Sequence, residues 1–483
     1  MSIDTAALEG APAAPAVTAA DAADLQSRLG GAALLPGDPG NAAVRPVFNA
    51  MHTGTPALVV RCAGTADVVQ AVHFARERGL PVTVRGGGHS IAGLSAGDGS
   101  VLIDLSPMSS ATVDPGRRIV RAQGGALWGG VDRETQLFGL ATPGGVISDT
   151  GIGGLTLGGG YGWLRRRYGL ACDNLVEAQV VTADGSVHTA SEESEPDLFW
   201  AIRGGGGNFG VATSLTYRLH PVGPEVAFAG CFHPAEDVAD VLGAWHSFTR
   251  EAPDEVTSMV VVLTFPDDPH VPEPVQGRAC TVVAGVYAGD AAEGMRALQP
   301  LRAIGHPIVD ISQPMPYTVV QSSLDALLER GSHRSYWKSQ YLDGISDGAF
   351  VAFAEAALHR PAPLTIVNVW HMGGAINAVA PDASAFGERS ANYLVSVDGN
   401  WPEASRDGEC VDWVRSTWAS LGRFGNGRSY LNFTGLLDEP ATTAVEASYG
   451  PNLARLAAVK AAYDPGNLFS RTNNITPAAA TGT

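Results

Sequence analysis

Three glycine-rich runs constrain this chain more than any other feature in it. The first, Arg85-Gly-Gly-Gly-His-Ser90, follows Pro81–Val84, which reads as a strand. Consecutive glycines let backbone N–H groups approach a ligand and point inward. Arg85 adds positive charge for an anion such as a pyrophosphate, and His89 stands at the far end, within reach of a ring system. Alone, this run equally fits a tight turn with a hydrogen-bonding histidine. The second run is Gly151-Ile-Gly-Gly-Leu-Thr-Leu-Gly-Gly-Gly-Tyr-Gly162. It lacks the dinucleotide fingerprint, because Thr156 stands where the third glycine belongs. It also lacks the Gly-Lys-Ser/Thr ending of a phosphate-binding loop. A large flat cofactor lying on bare backbone accounts for its glycines; a tight structural crossing is the alternative. The third run, Arg203-Gly-Gly-Gly-Gly-Asn-Phe-Gly-Val-Ala-Thr213, presents backbone groups where a strand begins.

Hydrophobic periodicity organises the rest. Ala57–Arg61 reads as a buried strand, and Thr65 as an N-cap with Asp67 in the first turn. Val68, Val69, Val72, Phe74 and Ala75 form a helical stripe that ends at Gly79. With Pro81–Val84 this makes a β-α-β unit. Strands are expected at 101–105, 119–123, 178–182 and 210–219, with helices at Ala126–Phe138 and from Pro196. The second half places helices at 235–249 and 347–358 and strands at 258–264, 281–287 and 364–371. That pattern predicts an antiparallel sheet covered by helices, and an α+β fold class overall. Pro221-Val-Gly-Pro224 marks a boundary. The expected divisions are a flexible tail 1–42, a first domain 43–221, a second domain 222–435 and a C-terminal segment 436–483. That segment includes an amphipathic helix at Pro451–Tyr463.

Composition excludes several classes. With 45% hydrophobic and 17% charged residues, the chain can bury a full core. A net charge of −18 disfavours nucleic acid and basic membrane-surface binding. The five cysteines include no Cys-x-x-Cys pair, so neither a disulfide framework nor a metal site is expected. There is no signal-peptide pattern and no apolar run of membrane-spanning length, which predicts a cytoplasmic protein.

Taken in order, the three runs are specific. Val84-Arg-Gly-Gly-Gly-His-Ser-Ile-Ala-Gly-Leu94 resembles the covalent-flavin motif of the berberine-bridge-enzyme-like oxidases. These belong to the vanillyl-alcohol-oxidase or PCMH-type FAD family. The bacterial oxidases of secondary metabolism and the 6-hydroxynicotine oxidases look most similar. Gly151–Gly162, Tyr168-Gly-Leu, Asp173-Asn174, Leu198–Gly210, Tyr463-Asp-Pro-Gly-Asn-Leu-Phe469 and Asn473-Asn474-Ile475 follow in the family's order. The resemblance covers nearly everything from about residue 45. It implies a two-subdomain FAD-binding domain at 43–221, a substrate domain at 222–435, and a C-terminal segment returning to the FAD domain.

It also implies roles. His89 would bond the flavin 8α-methyl carbon. Arg85, Gly86, Gly87, Gly88, Ser90, Gly93 and Leu94 would wrap the pyrophosphate. Thr150, Gly151, Gly154 and Leu155 would run beside the flavin, and Gly145, Gly160, Gly162, Tyr430 and Asn432 would also bind the cofactor. Val211 would touch the cofactor through its backbone, and Asn473 and Asn474 would close over it. Many relatives add a cysteinyl link just before the Gly-x-Gly-Gly run. Thr142–Gly151 contains no cysteine, so a single link is expected. Tyr430, in Ser429-Tyr-Leu-Asn-Phe433, matches a family base, with Asn432 orienting it. A tyrosine pKa near 10 means that the site must lower it or couple proton and hydride loss. Tyr161 and Trp163 are expected over the flavin. On the strand at 364–371, alternation sends Asn368 and Trp370 to one face and His371 to the other. Arg165, Arg166 and Arg167 read as a solvated or helix-capping cluster. The implied activity is oxidation of an alcohol, amine or natural-product intermediate, with O2 as acceptor and hydrogen peroxide as product. An oxygenase using a flavin–oxygen adduct, and a drug-binding resistance protein, are the alternatives. Beyond the small-molecule substrate and O2, the expected state is a monomer or homodimer.

Overall fold

The strand expected at 57–61 spans Leu58–Arg61 in the computed structural model of the chain, which describes residues 17–269, 271–435 and 441–479. Its parallel partner is Val101–Asp104, which pairs in turn with Val82–Arg85. Parallel strands need a crossover. The helix Thr65–Glu77 supplies one, and buries Val68, Ala71, Val72 and Ala75. Thr65 is the first helical residue rather than the cap, which is Gly64; its hydroxyl donates to Gln179 Oε1 at 2.8 Å. Asp67 instead ties the preceding chain together by accepting from the N–H groups of Gly30, Gly31 and Ala63.

Those contacts correct the expected tail. Residues 1–16 lie outside the described residues, but 17–42 are folded. Helix Ala19–Gln26 starts with a capping box between Thr18 and Asp21 and buries Leu25. Strand Ala32–Leu34 adds antiparallel to Leu58–Arg61. The Ala- and Gly-rich composition hid a short helix whose stability comes from tertiary packing, not propensity.

A second sheet, wholly antiparallel, runs in the order Ala111–Asp114, Ile119–Gln123, Val211–Arg218, Leu175–Val181, Val187–Ala190. Helices Trp128–Gln136 and Pro196–Ile202 pack with it around Trp128, Phe199 and Tyr217.

From Glu225 the chain builds one large antiparallel sheet. Its order is Val309–Asp310, Glu225–Pro234, Ala279–Tyr287, Val256–Thr264, Ile366–His371, Tyr393–Trp401, Arg334–Leu342, with Gln313–Pro316 also paired to Glu225–Pro234. Helices Val238–Thr249, Asp347–Leu358 and Asp407–Gly422 cover one face. The other face turns to the glycine runs and shares a core with Tyr161, Trp163 and Tyr430. Burial on both faces explains why Met259–Leu263 reads as an unbroken apolar run.

The arginine cluster is corrected as well. Arg165 and Arg166 are buried, not solvated. Arg165 donates to the carbonyls of Gly162, Ser258 and His371, and Arg166 to those of Ala252, Val256 and Met372. They tie the second glycine run to the large sheet.

Of the C-terminal segment, 436–440 and 480–483 lie outside the described residues. Helix Leu453–Tyr463 packs on Pro196–Ile202. The buried Lys460 ammonium joins Asp464 to the carbonyl of Asn208 in the third glycine run. No helix among the described residues is long and apolar enough to cross a membrane.

Candidate active site

The three glycine runs and the inner face of the large sheet enclose a cavity of about 410 Å³, within the range of ligand sites. Gly86–His89, Gly151, Gly153, Gly154, Gly206, Gly207 and Gly210 face it from one side. A Cβ on Gly87 would sit 2.2 Å from the Gly151 nitrogen, so the first two runs cross at bare-backbone contact. Gly154 differs: a Cβ there meets no protein atom within 4 Å. It opens on the cavity, where a side chain would take up space.

His89 lines this cavity. Its ring stacks on Phe48 at 4.0 Å, and Nε2 lies 3.0 Å from Asp149 Oδ1. A carboxylate only accepts, so Nε2 carries the hydrogen and Nδ1 of the neutral ring keeps its lone pair. Arg330, from the second half of the chain, donates to the Asp149 carboxylate at 3.2 Å, to the Asp149 carbonyl at 3.1 Å and to the carbonyl of Gly87. Burial pushes the Asp149 carboxyl up, but the bonds from His89 and Arg330 hold it below its usual value. Sequence reasoning missed Phe48, Asp149 and Arg330. Asp149 adjoins Thr150 and was within reach; Arg330 is remote in sequence and carries no local signal.

Tyr430 is buried on the same cavity. Its hydroxyl oxygen accepts from the Gly160 N–H at 3.0 Å and from Asn432 Nδ2 at 2.9 Å. Asn432 Nδ2 also donates to the Leu155 carbonyl at 3.2 Å. With its lone pairs engaged, the hydroxyl directs its hydrogen elsewhere. Burial raises the Tyr430 pKa, and hydrogen bonds from Asn432 and from the backbone of Gly160 and Tyr161 pull against that rise without cancelling it. Tyr161 packs on Tyr430 with ring centroids 4.4 Å apart, and its hydroxyl meets that of Tyr341 at 2.6 Å. Trp163 lines the cavity edge-on to Phe228.

Ser90, Leu94, Gly145, Thr150, Leu155, Val211 and Asn473 also line the cavity. Arg85, Gly93, Gly160, Gly162 and Asn474 do not. Gly93 makes room for His52, and Gly162 for the Gly144 carbonyl, while Gly160 serves through its bond to Tyr430. Arg85 Nη1 and Asn474 Oδ1 are buried without a hydrogen-bond partner among the described residues. Asn208 ties the 473–475 segment down, donating to the Asn473 carbonyl and accepting from the Ile475 N–H. On the sheet side the alternation resolves: Asn368 and Trp370 line the cavity with Asp398, while His371 packs on Trp245 and Tyr393. Cys172 is buried away from the cavity lining, with its N–H on the Gly159 carbonyl. Among the described residues no cluster of His, Cys, Asp or Glu could hold a metal ion.

A bare-backbone cradle with His89 at its edge and open space at Gly154 fits a flavin dinucleotide. Comparisons agree. Residues 56–191 match a family model described as FAD binding domain, and residues 429–476 one described as berberine and berberine like. The chain is similar to (R)-6-hydroxynicotine oxidase of Paenarthrobacter nicotinovorans, 32% identical over 92% of this chain and 97% of that one. It is 30% identical to an FAD-linked oxidoreductase of Dictyostelium discoideum, over 89% and 91% of the two chains. The crystal structure of 6-hydroxy-D-nicotine oxidase from Arthrobacter nicotinovorans superposes with a TM-score of 0.82 at 29% identity, covering 93% of this chain and 98% of that one. The chain is therefore an FAD-dependent oxidoreductase that belongs to the berberine-bridge-enzyme-like family of PCMH-type α+β oxidases.

Proposed function

We propose that this protein is a covalent-FAD oxidase of a small organic molecule, with His89 as its one attachment residue. The observation that carries the reading is the His89–Asp149 pair at the glycine cradle, with Tyr430 on the same cavity. Asp149 leaves His89 Nδ1 as the nucleophilic nitrogen for the 8α carbon. The absence of cysteine in 142–151 and the position of Cys172 support a single link. Bound FAD supplies a hydride acceptor that O2 reoxidises with release of hydrogen peroxide.

The chain's own residues then have three tasks. The apolar inner face of the large sheet excludes water from the reacting carbon. Tyr430, in its ionised form, takes the proton of the substrate hydroxyl or amine and becomes a neutral phenol; the Gly160 N–H and Asn432 stabilise the negative charge its oxygen carries before that transfer. Tyr161 and Trp163 wall the space above the cradle.

The test is a denaturing gel viewed for flavin fluorescence in acid, beside His89→Ala, followed by peroxide assay with a substrate panel. A fluorescent wild-type band that is dark in the variant, with peroxide formed at each turnover, is expected. A dark wild-type band overturns covalent attachment. Substrate-dependent flavin reduction without peroxide overturns the oxidase assignment.

A further inference from the structure

The substrate-side wall of the cavity is apolar apart from one spot. Phe228, Phe232, Met259, Val261, Leu263 and Val282 supply most of its surface. Into this surface the strand Tyr393–Trp401 brings Asp398, a carboxyl 5% exposed and facing the cavity. Its cross-strand neighbours are Trp337 on one side and Ile366 on the other. Ser396 Oγ donates to Oδ1, and Asn368 Nδ2 donates to Oδ2 at 2.8 Å. Trp370 Nε1 donates to Asn368 Oδ1, which fixes the amide with its NH2 toward the carboxyl. Each carboxyl oxygen therefore has one bond within the wall and a lone pair left over.

We infer that the Asp398–Asn368 spot is the anchor for a basic nitrogen, and that the substrate is a compact, largely apolar molecule carrying one protonatable amine. This rests on the cavity being the place of reaction. A buried carboxylate among apolar side chains is costly until it meets a counter-charge. The wall offers one acceptor site and little else that is polar, which suits one cation and does not suit a molecule with many hydroxyls. The two donors within the wall hold the carboxyl in place, so an ammonium meets a preset acceptor.

The electrostatic surroundings agree. Burial pushes the Asp398 carboxyl up to about 7, with Ser396 and Asn368 pulling it back. Around it, Trp337, Ile366 and Asn368 are uncharged, and Phe433 packs edge-on to Trp337 and tilted against Trp370. Arg165 lies 5.1 Å from the Trp370 ring, and Lys338 sits over Tyr336 and Trp418. An incoming ammonium favours the ionised carboxyl. An acid with a raised pKa is protonated below about pH 7, so amine binding weakens there and strengthens as the pH rises through 7.

The experiment uses the flavin-loaded enzyme under anaerobic conditions. Benzylamine and 2-phenylethylamine are titrated against benzyl alcohol and 2-phenylethanol, read by flavin absorption and tryptophan fluorescence at pH 6 to 8.5. At pH 8 the amines are expected to bind about tenfold or more tighter than the alcohols. That preference should vanish in Asp398→Asn and shrink at pH 6. In Asn368→Ala, the loss of a donor should move the pH midpoint upward. Equal affinity of amines and alcohols, no binding of either amine, a preference that survives in Asp398→Asn, or an unmoved midpoint in Asn368→Ala each overturns the inference. Binding is read whether or not the flavin is reduced, so a failed anchor is distinct from a failed oxidase.

Discussion

At His89 the partner of one nitrogen decides the chemistry of the other. In Asp149→Asn the side-chain amide can either donate or accept, so the ring is no longer held with Nδ1 free. Covalent flavin incorporation should slow by about tenfold or more, as happens where an acid that sets a histidine tautomer is removed. The check is the ratio of acid-precipitable to released flavin over time; incorporation at the wild-type rate would sink the role. Tyr430→Phe should keep covalent flavin but slow its reduction by substrate by about 10²–10⁴-fold. Because burial raises the Tyr430 pKa, the hydroxyl stays protonated at neutral pH. The reduction rate should therefore climb with pH on the alkaline side and level only above the ordinary tyrosine range, as rapid-mixing absorbance would record. A profile flat from pH 7 to 10 would point to another base. His89, Tyr430 and Asn432 were legible in the sequence because each lies in a short ordered motif. Arg330 and Asp398 were not: their meaning comes from contacts with residues far away along the chain.

Among the elements, the glycine runs do two different jobs. Gly87 and Gly151 leave room for each other, whereas Gly154 faces open space in the cavity. Gly154→Val should therefore fold with a melting temperature close to wild type in the apoprotein, yet lose most of its flavin. Gly87→Ala should be destabilised by about 1–3 kcal/mol, the scale of an overpacked core. Melting curves and the flavin-to-protein absorbance ratio separate the two; a fully flavinylated Gly154→Val would show that the cradle lies elsewhere. Strand legibility followed the same logic of surroundings. Met259–Leu263 was visible because both faces are apolar. Arg334–Leu342 and Tyr393–Trp401 were missed because Ser335, Lys338, Gln340, Ser396, Asp398 and Asn400 break the apolar pattern, although all six are buried. Ser335, Gln340 and Asp398 find partners on Asn400, the Leu421 carbonyl and Asn368, which no local window contains.

For the molecule as a whole, the site exists only while the glycine cradle and the large sheet stay in register, and Arg165 is placed to hold them. It is fully buried, and its guanidinium reaches the carbonyls of Gly162, Ser258 and His371 at 2.9–3.1 Å. Those acceptors belong to the second glycine run and to two separate strands of the sheet. Read in sequence, Arg165-Arg-Arg167 resembles a surface cluster, since arginines are seldom buried without partners. Here the partners are backbone carbonyls, which sequence does not distinguish. Burial draws the Arg165 pKa down, first by desolvation and then by the neighbouring Arg166, to about 9. The charge is thus still present at neutral pH, where the three bonds need it. Lysine in its place would keep a charge but present a compact ammonium that cannot span three acceptors in the guanidinium's fork. Arg165→Lys should lose about 3 kcal/mol of stability, because buried carbonyls are left without donors. Its amine preference and reduction rate should fall together, since Trp370, on which Arg165 rests, and Tyr161, which precedes it, both line the cavity. Chemical denaturation, the amine-to-alcohol binding ratio and flavin reduction by substrate, measured on one preparation, decide the matter. Wild-type stability in Arg165→Lys would mean that the carbonyls find other donors and that the register is held elsewhere.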